Sequence, residues 1–207
     1  MPSQSSAIKV VAIPGSVRPG NYTEKALAVV VDEFGKNPGI DFELIETARI
    51  DFPFPGMSNG SAAVKRFQET VLAADGIILA TPEYHGSFSS VMKLVIENMG
   101  FPAGLSGKPV VLLGVAAGKI GAIKALEHLR SVCSHVGAIV LPGPISIAGV
   151  QQVFDEQGKC LNKGVEQEIR SLAGKLLDYL RNSHCPEVPL EEMVRNGYSV
   201  EWVSPSV

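Results

Sequence analysis

Five short apolar runs, near residues 8–14, 41–46, 76–82, 108–115 and 138–147, punctuate the chain at strand length and are set off by Gly, Pro, Asn and charged residues. Between them the apolar positions recur at helical spacing. Leu27, Val30, Val31 and Phe34 share one face of a helix that opens at Thr23, and Val64, Phe67 and Val71 share a face of the second. The segment 89–102 reads as a third helix with Val91, Leu94, Val95 and Met99 on its stripe, leaving Met92, Ile96 and Phe101 for a neighbouring surface; the alternative is a helix buried all round within its own sheet. Ile123, Leu126, Leu129, Val132 and Val136 mark the fourth helix. After a turn-rich piece over 153–162, Val165, Ile169, Leu172, Leu176 and Leu180 mark the last. This alternation predicts an α/β fold: a doubly wound five-stranded parallel sheet in the order 2-1-3-4-5, covered by helices on both faces.

In that order a ligand crevice lies beyond the carboxyl ends of strands 1 and 3, where the winding direction reverses. The loops that end there are unusual. Gly15-Ser-Val-Arg-Pro-Gly-Asn-Tyr-Thr23 offers hydroxyl and amide donors at Ser16, Asn21 and Thr23, close backbone approach at Gly15 and Gly20, and a planar cation at Arg18. It runs into a helix whose positive end points back at it, which is the setting for a phosphate. Gly15 and Gly20 have Walker A separation, but Asn21 and Tyr22 stand where Lys and Ser/Thr are required. Val17 breaks a Gly-x-Gly-x-x-Gly fingerprint. The terminal phosphate of a mononucleotide fits better; the alternative is a βα loop in which Gly, Ser and Asn serve only turn and cap geometry.

The loop ending strand 3, Thr81-Pro-Glu-Tyr-His-Gly-Ser-Phe88, suits a flat, partly aromatic ligand. Pro82 stiffens the strand exit, Tyr84 and Phe88 present rings, and the backbone at Gly86 and Ser87 approaches a heteroaromatic edge. Glu83 hydrogen-bonds either the ligand or a backbone N–H of the following helix. A third loop, Gly114 to Gly121, ends strand 4 at the same edge of the sheet.

Composition narrows the partners. A chain of 207 residues that is 45% hydrophobic buries one substantial core, and a net charge of −3 without a basic patch argues against nucleic acid. No apolar run is long enough to cross a bilayer, and the first residues have no basic stretch leading into an apolar one, so a cytoplasmic protein is expected. Cys133, Cys160 and Cys185 are odd in number and widely spaced, which supports neither a disulfide framework nor a metal knuckle; Cys133 reads as core filling. His128, His135 and His184 have no metal-ligand spacing and read as structural or surface residues.

Taken together, Gly15-Ser-Val-Arg18 with Asn21-Tyr-Thr23, Thr81-Pro-Glu-Tyr-His-Gly-Ser87, and Gly118 with Gly121 resemble the NADPH-dependent FMN reductases of flavodoxin-like fold, over about residues 8–180. That family includes quinone, azo-dye and chromate reductases. The resemblance implies bound FMN, with Ser16, Arg18, Asn21, Tyr22 and Thr23 around its phosphate. Pro82, Glu83, Tyr84, His85, Gly86, Ser87 and Phe88, together with Ala116, Ala117, Gly118 and Lys119, would then hold the isoalloxazine. It further implies NADPH or NADH as electron donor and a small-molecule acceptor: a quinone, an azo compound, a metal oxyanion or free flavin. With no second nucleotide fingerprint, ping-pong kinetics through one crevice are expected. The chain departs from the family at His85, where asparagine is usual, and at Ala116 and Ala117, where hydroxyl residues are common.

His85 reads as a solvent-facing or structural histidine, or as a proton donor to an acceptor. Lys119 reads as a solvated lysine or as a partner of the flavin's pyrimidine edge. A flavodoxin-like electron carrier and a flavin-binding sensor with little turnover remain the other function classes. In the resembling family the segment after the strand 3 loop joins two subunits around the flavin, so a homodimer or homotetramer is expected. Residues 1–183 then form the reductase domain, and 184–207, with Leu190, Met193, Tyr198 and Trp202, an extension beyond the resemblance.

Overall fold

The structure, a computed structural model, describes residues 7–57, 61–100 and 104–182. In chain order its elements are β1 (Ile8–Pro14), α1 (Tyr22–Phe34), β2 (Ile40–Leu44), α2 (Ala62–Ala73), β3 (Gly76–Tyr84), β4 (Ser87–Phe88), α3 (Ser90–Glu97), β5 (Pro109–Val115), α4 (Ile123–His135), β6 (Ile139–Val140), β7 (Ile145–Ile147) and α5 (Lys163–Asn182). Single 3-10 turns lie at Thr47–Arg49 and Val150–Gln152.

The sheet runs β2-β1-β3-β5, with β6 and β7 both pairing parallel to β5. Setting aside β4, which folds back antiparallel on β3, this is the expected 2-1-3-4-5 order of a flavodoxin-like sheet. The single strand expected over 138–147 is interrupted. Leu141-Pro-Gly-Pro144 puts two residues without an N–H and a glycine at φ 74° between its halves, so the ladder to β5 breaks and resumes.

The central strands are buried on both faces and sort their side chains by parity. Val10 and Ala12 of β1, Ile78 and Ala80 of β3, and Val111 and Leu113 of β5 pack in one core with α1 and α5. Val11, Ile13, Ile77, Leu79, Val110 and Leu112 pack in the other with α2, α3 and α4. The chain therefore leaves β1 toward one face and β3 toward the other, and the gap between those exits is the switch point.

Three helical expectations need correction. In α1, Leu27, Val30 and Phe34 are buried but Val31 is 36% exposed, because the helix also packs against α5 and its buried arc turns to include Ala26 and Val29. In α4, Leu126, Leu129 and Cys133 form the buried stripe; Val132 and Val136 are half-buried, and Ile123 is exposed at the helix start beside the loop edge. Helix α3 ends at Glu97, and Met92 and Ile96, expected to face outward, are buried with Val95 and Met99 in this chain's own core. The reason is the closeness of α3 to the first loop, since a Cβ at Gly15 would lie 2.9 Å from Met92 Cβ. Phe101 and the segment 184–207 lie outside the described residues.

Candidate cofactor site

At the switch point the ends of β1, β3 and β5 enclose a cavity of about 370 Å³, within the size range of small-molecule sites. Its wall is built from Ser16 and Arg18 to Thr23, from Pro82 to Tyr84, and from Val115 to Ala117, with Val150 and Gln151 closing it. The three loops singled out in the sequence do converge.

The first loop is anchored from below. Gly15 N–H donates to Ala80 C=O at 2.6 Å, Ser89 Oγ donates to Gly15 C=O, and Thr47 Oγ1 donates to Pro14 C=O at 3.0 Å. Asn21 caps α1: its Oδ1 accepts from Glu24 N–H at 2.9 Å and its Nδ2 donates to Arg18 C=O at 2.7 Å. The Asn21 amide is thereby occupied in shaping the loop. What remains open is the helix end itself. Among the described residues the N–H groups of Ser16, Val17, Tyr22 and Thr23 have no protein acceptor, and Thr23 Oγ1 is fully buried without a partner. A buried hydroxyl left unpaired costs about 1–3 kcal/mol, so this cluster of donors at the positive end of α1 is a site made for an anion. Ser16, itself buried, stands at the same end, and no acidic residue lies in the Ser16–Thr23 loop.

The second loop is a tight hairpin. Glu83 pairs with Phe88 and Tyr84 with Ser87, leaving His85 and Gly86 as a two-residue turn with φ of 52° and 74°, both left-handed as a type I′ turn requires. Histidine pays a steric cost there that glycine or asparagine avoids. Helix α4 steadies the hairpin. Glu83 Oε2 accepts from Ala125 N–H at 3.1 Å, capping α4 rather than the following α3, and Ser87 Oγ meets His128 Nδ1 at 3.1 Å. Phe88 packs on Ala116, Ala122 and Ala125, wedging the second loop against the third. Tyr84 reaches the cavity, and the Arg18 guanidinium lies 4.9 Å from its ring centroid, bridging the first two loops across the mouth. His85, Gly86, Ser87 and Phe88 do not line the cavity.

In the third loop, Ala116 and Ala117 form wall while Gly118 and Lys119 stand outside it at an exposed tip. Ala116 N–H donates to Ile147 C=O, and the carbonyls of Ala116 and Gly118 accept from Val150 and Gly149, so most of this loop's backbone is committed to the segment after β7. That segment was missed in the sequence. Its signal was Gly149-Val-Gln-Gln152, directly after the last strand at the same sheet edge.

A flavodoxin-like sheet whose switch point holds a cavity lined by unpaired helix-end donors, Tyr84 and apolar side chains suits a phosphorylated planar ligand. The chain belongs to the family of NADPH-dependent FMN reductases, whose model matches residues 8–152. It is 33% identical over 183 residues to an NAD(P)H-dependent FMN reductase of Pseudomonas aeruginosa, covering 81% of this chain and 95% of that one. It is 24% identical over 181 residues to a 2-hydroxy-1,4-benzoquinone reductase of a Burkholderia species, covering 85% and 98%. Among solved structures it is similar to the flavoenzyme NAD(P)H:(acceptor) oxidoreductase of Paracoccus denitrificans, with a TM-score of 0.70 at 20% identity over 84% of this chain and 97% of that one. The protein is thus an oxidoreductase with FMN as cofactor and NAD(P)H as electron donor. The unpaired Thr23 hydroxyl and free helix-end N–H groups fit the FMN phosphate.

Proposed function

We propose that this protein passes two electrons from NAD(P)H to a small acceptor by a ping-pong cycle through one crevice, with a quinone as the favoured acceptor class. FMN, when bound, would supply the two-electron chemistry. The observation that carries the reading is one cavity lined by all three loops, with the unpaired Thr23 hydroxyl and Tyr84 both in its wall.

The roles of this chain's residues follow from position. Ser16, Thr23 and the free N–H groups of the first loop and α1 hold the phosphate, and Arg18 is close enough to leave Tyr84 for it. Asn21 keeps the loop in shape and Tyr22 contributes wall. Pro82, Glu83 and Tyr84 on one loop and Ala116 and Ala117 on another line the cavity and would hold the ring. Gly86, Ser87 and Phe88 support them from behind, and His85 sits at the exposed turn. Gly118 and Lys119 border the opening, where Lys119 meets the solvent-facing edge of an incoming substrate. No side chain needs to act as a nucleophile.

A quinone is a flat, neutral oxidant that stacks in the same slot as a nicotinamide, and the Burkholderia relative's name includes such a substrate. Azo compounds, metal oxyanions and free flavin are the other acceptors to assay. Among the described residues no helix is long and apolar enough to cross a membrane. We also propose a homodimer, or a tetramer built from two. With Met92 and Ile96 buried, the support moves to exposed apolar residues on or next to the three loops, Val17, Tyr84, Ile120 and Ile123, with Ile120 82% exposed, which a second copy would cover.

Anaerobic addition of NADPH to the FMN-loaded protein should bleach the flavin absorbance, and a quinone should restore it. Double-reciprocal plots against both substrates should be parallel. Intersecting lines, or oxidation of NADPH no faster than with free FMN, would refute the cycle.

A further inference from the structure

Most polar side chains around the cavity are spoken for. Asn21 shapes the first loop, Glu83 caps α4, Arg18 lies over Tyr84, and Ser16 and Thr23 belong to the anion site at the α1 end. Gln151 is different. It is an exposed residue that lines the cavity, and its side-chain amide has no partner among the described residues. Its neighbours there, Val115, Ala116, Ala117 and Val150, have no polar side-chain atom.

Its placement is rigid. Gly149, at φ 53°, turns the chain after β7 into the 3-10 turn Val150–Gln152, and Gly149 and Val150 donate to the carbonyls of Gly118 and Ala116 at 3.1 and 3.0 Å. Val150, Val153 and Phe154 are buried in the same core as α1. The segment is thus held on the α1 side of the sheet, beside the phosphate end of the crevice.

A ligand with its phosphate at α1 and its ring between Tyr84 and Ala116 must lay the polyhydroxylated chain that joins them along this stretch of wall. Hydroxyl groups taken out of water need partners, and the apolar side chains here provide none. We propose that Gln151 is a cofactor-binding residue whose amide hydrogen-bonds a hydroxyl of the FMN ribityl chain. The inference rests on FMN occupying this cavity.

Flavin fluorescence titrations of the apoprotein with FMN, riboflavin and lumiflavin separate the subsites, since riboflavin lacks the phosphate and lumiflavin lacks the ribityl chain as well. Gln151→Ala and the near-isosteric Gln151→Met should each weaken FMN and riboflavin by the same factor, about 3- to 10-fold, and leave lumiflavin unchanged. A loss for FMN alone would assign Gln151 to the phosphate, and a loss extending to lumiflavin would assign it to the ring; either overturns the proposal. So would Gln151→Met binding as the natural protein does, which would mean that only bulk matters. If the unsubstituted protein bound none of the three, the cofactor reading itself would fall, and the proposal with it.

Discussion

At the residue scale, the most telling atom is Thr23 Oγ1, buried and unpaired at the first turn of α1. A fold that tolerates such a group carries a small standing cost that a hydrogen-bonding ligand would remove. Thr23→Val keeps the shape and deletes the hydroxyl, so it should stabilise the apoprotein by about 1 kcal/mol, or ~2–4 °C in Tm, while weakening FMN about 3- to 10-fold. Calorimetry and a flavin titration on the same sample check both signs; a variant that is less stable and binds normally would contradict the assignment. The residue types of this site were legible in the sequence, because phosphate recognition needs donors and glycine in a short loop before a helix. Their division of labour was not. That Asn21 spends both amide atoms on the loop, that Glu83 caps α4, and that Ser87 meets His128 depend on contacts across 3, 42 and 41 residues of sequence. The last two reflect tertiary placement, which periodicity does not encode. Cys133 illustrates the opposite case: read as core filling, it is buried, and desolvation pushes its thiol up to about 12, so it should resist alkylation in the native protein at neutral pH.

At the scale of elements, the strands were readable because parallel strands buried on both faces appear as continuous apolar runs. Helix faces were less so where a helix touches two neighbours, as α1 does with the sheet and α5. That second contact also carries an ionic clasp. Arg170 Nη1 lies 2.5 Å from Asp32 and 3.0 Å from Glu33 on α1, and its Nη2 lies 2.7 Å from Glu166 on its own helix. Hydrogen bonds from Arg170 and Lys36 hold the Asp32 carboxyl below its ordinary 3.8, and those from Lys36 and Arg170 hold Glu33 below its ordinary 4.5. Groups with depressed pKa stabilise the fold above their unfolded values, and that contribution is lost as pH falls through the folded ones. Arg170→Ala should therefore lower Tm at pH 7, and the gap to the unsubstituted protein should start to narrow as pH falls below about 4, keep narrowing at lower pH, and narrow in high salt. Thermal melts across this range decide, and a gap that does not change with pH or salt would mean that packing, not charge, joins α1 to α5.

At the scale of the whole molecule, the strand order and the place of the crevice followed from strand and helix alternation alone, since right-handed crossovers leave few topologies. The outward face of α3 did not follow, because an apolar helix in a doubly wound fold looks the same whether its second face meets the sheet or another subunit. Met92 and Ile96 are buried in this chain's own core, while Val17, Tyr84, Ile120 and Ile123 stay exposed. Ile120→Lys should shift sedimentation at micromolar concentration toward monomer, and a monomer of the unsubstituted chain that still holds FMN and oxidises NADPH would contradict a shared site. The central claim, however, is that the end of β1 and the start of α1 recognise a phosphate. The affinities of FMN and riboflavin, measured side by side at one salt concentration, test it most directly: charge-assisted hydrogen bonds predict FMN at least about tenfold tighter, falling as salt rises, and equal affinities would contradict it.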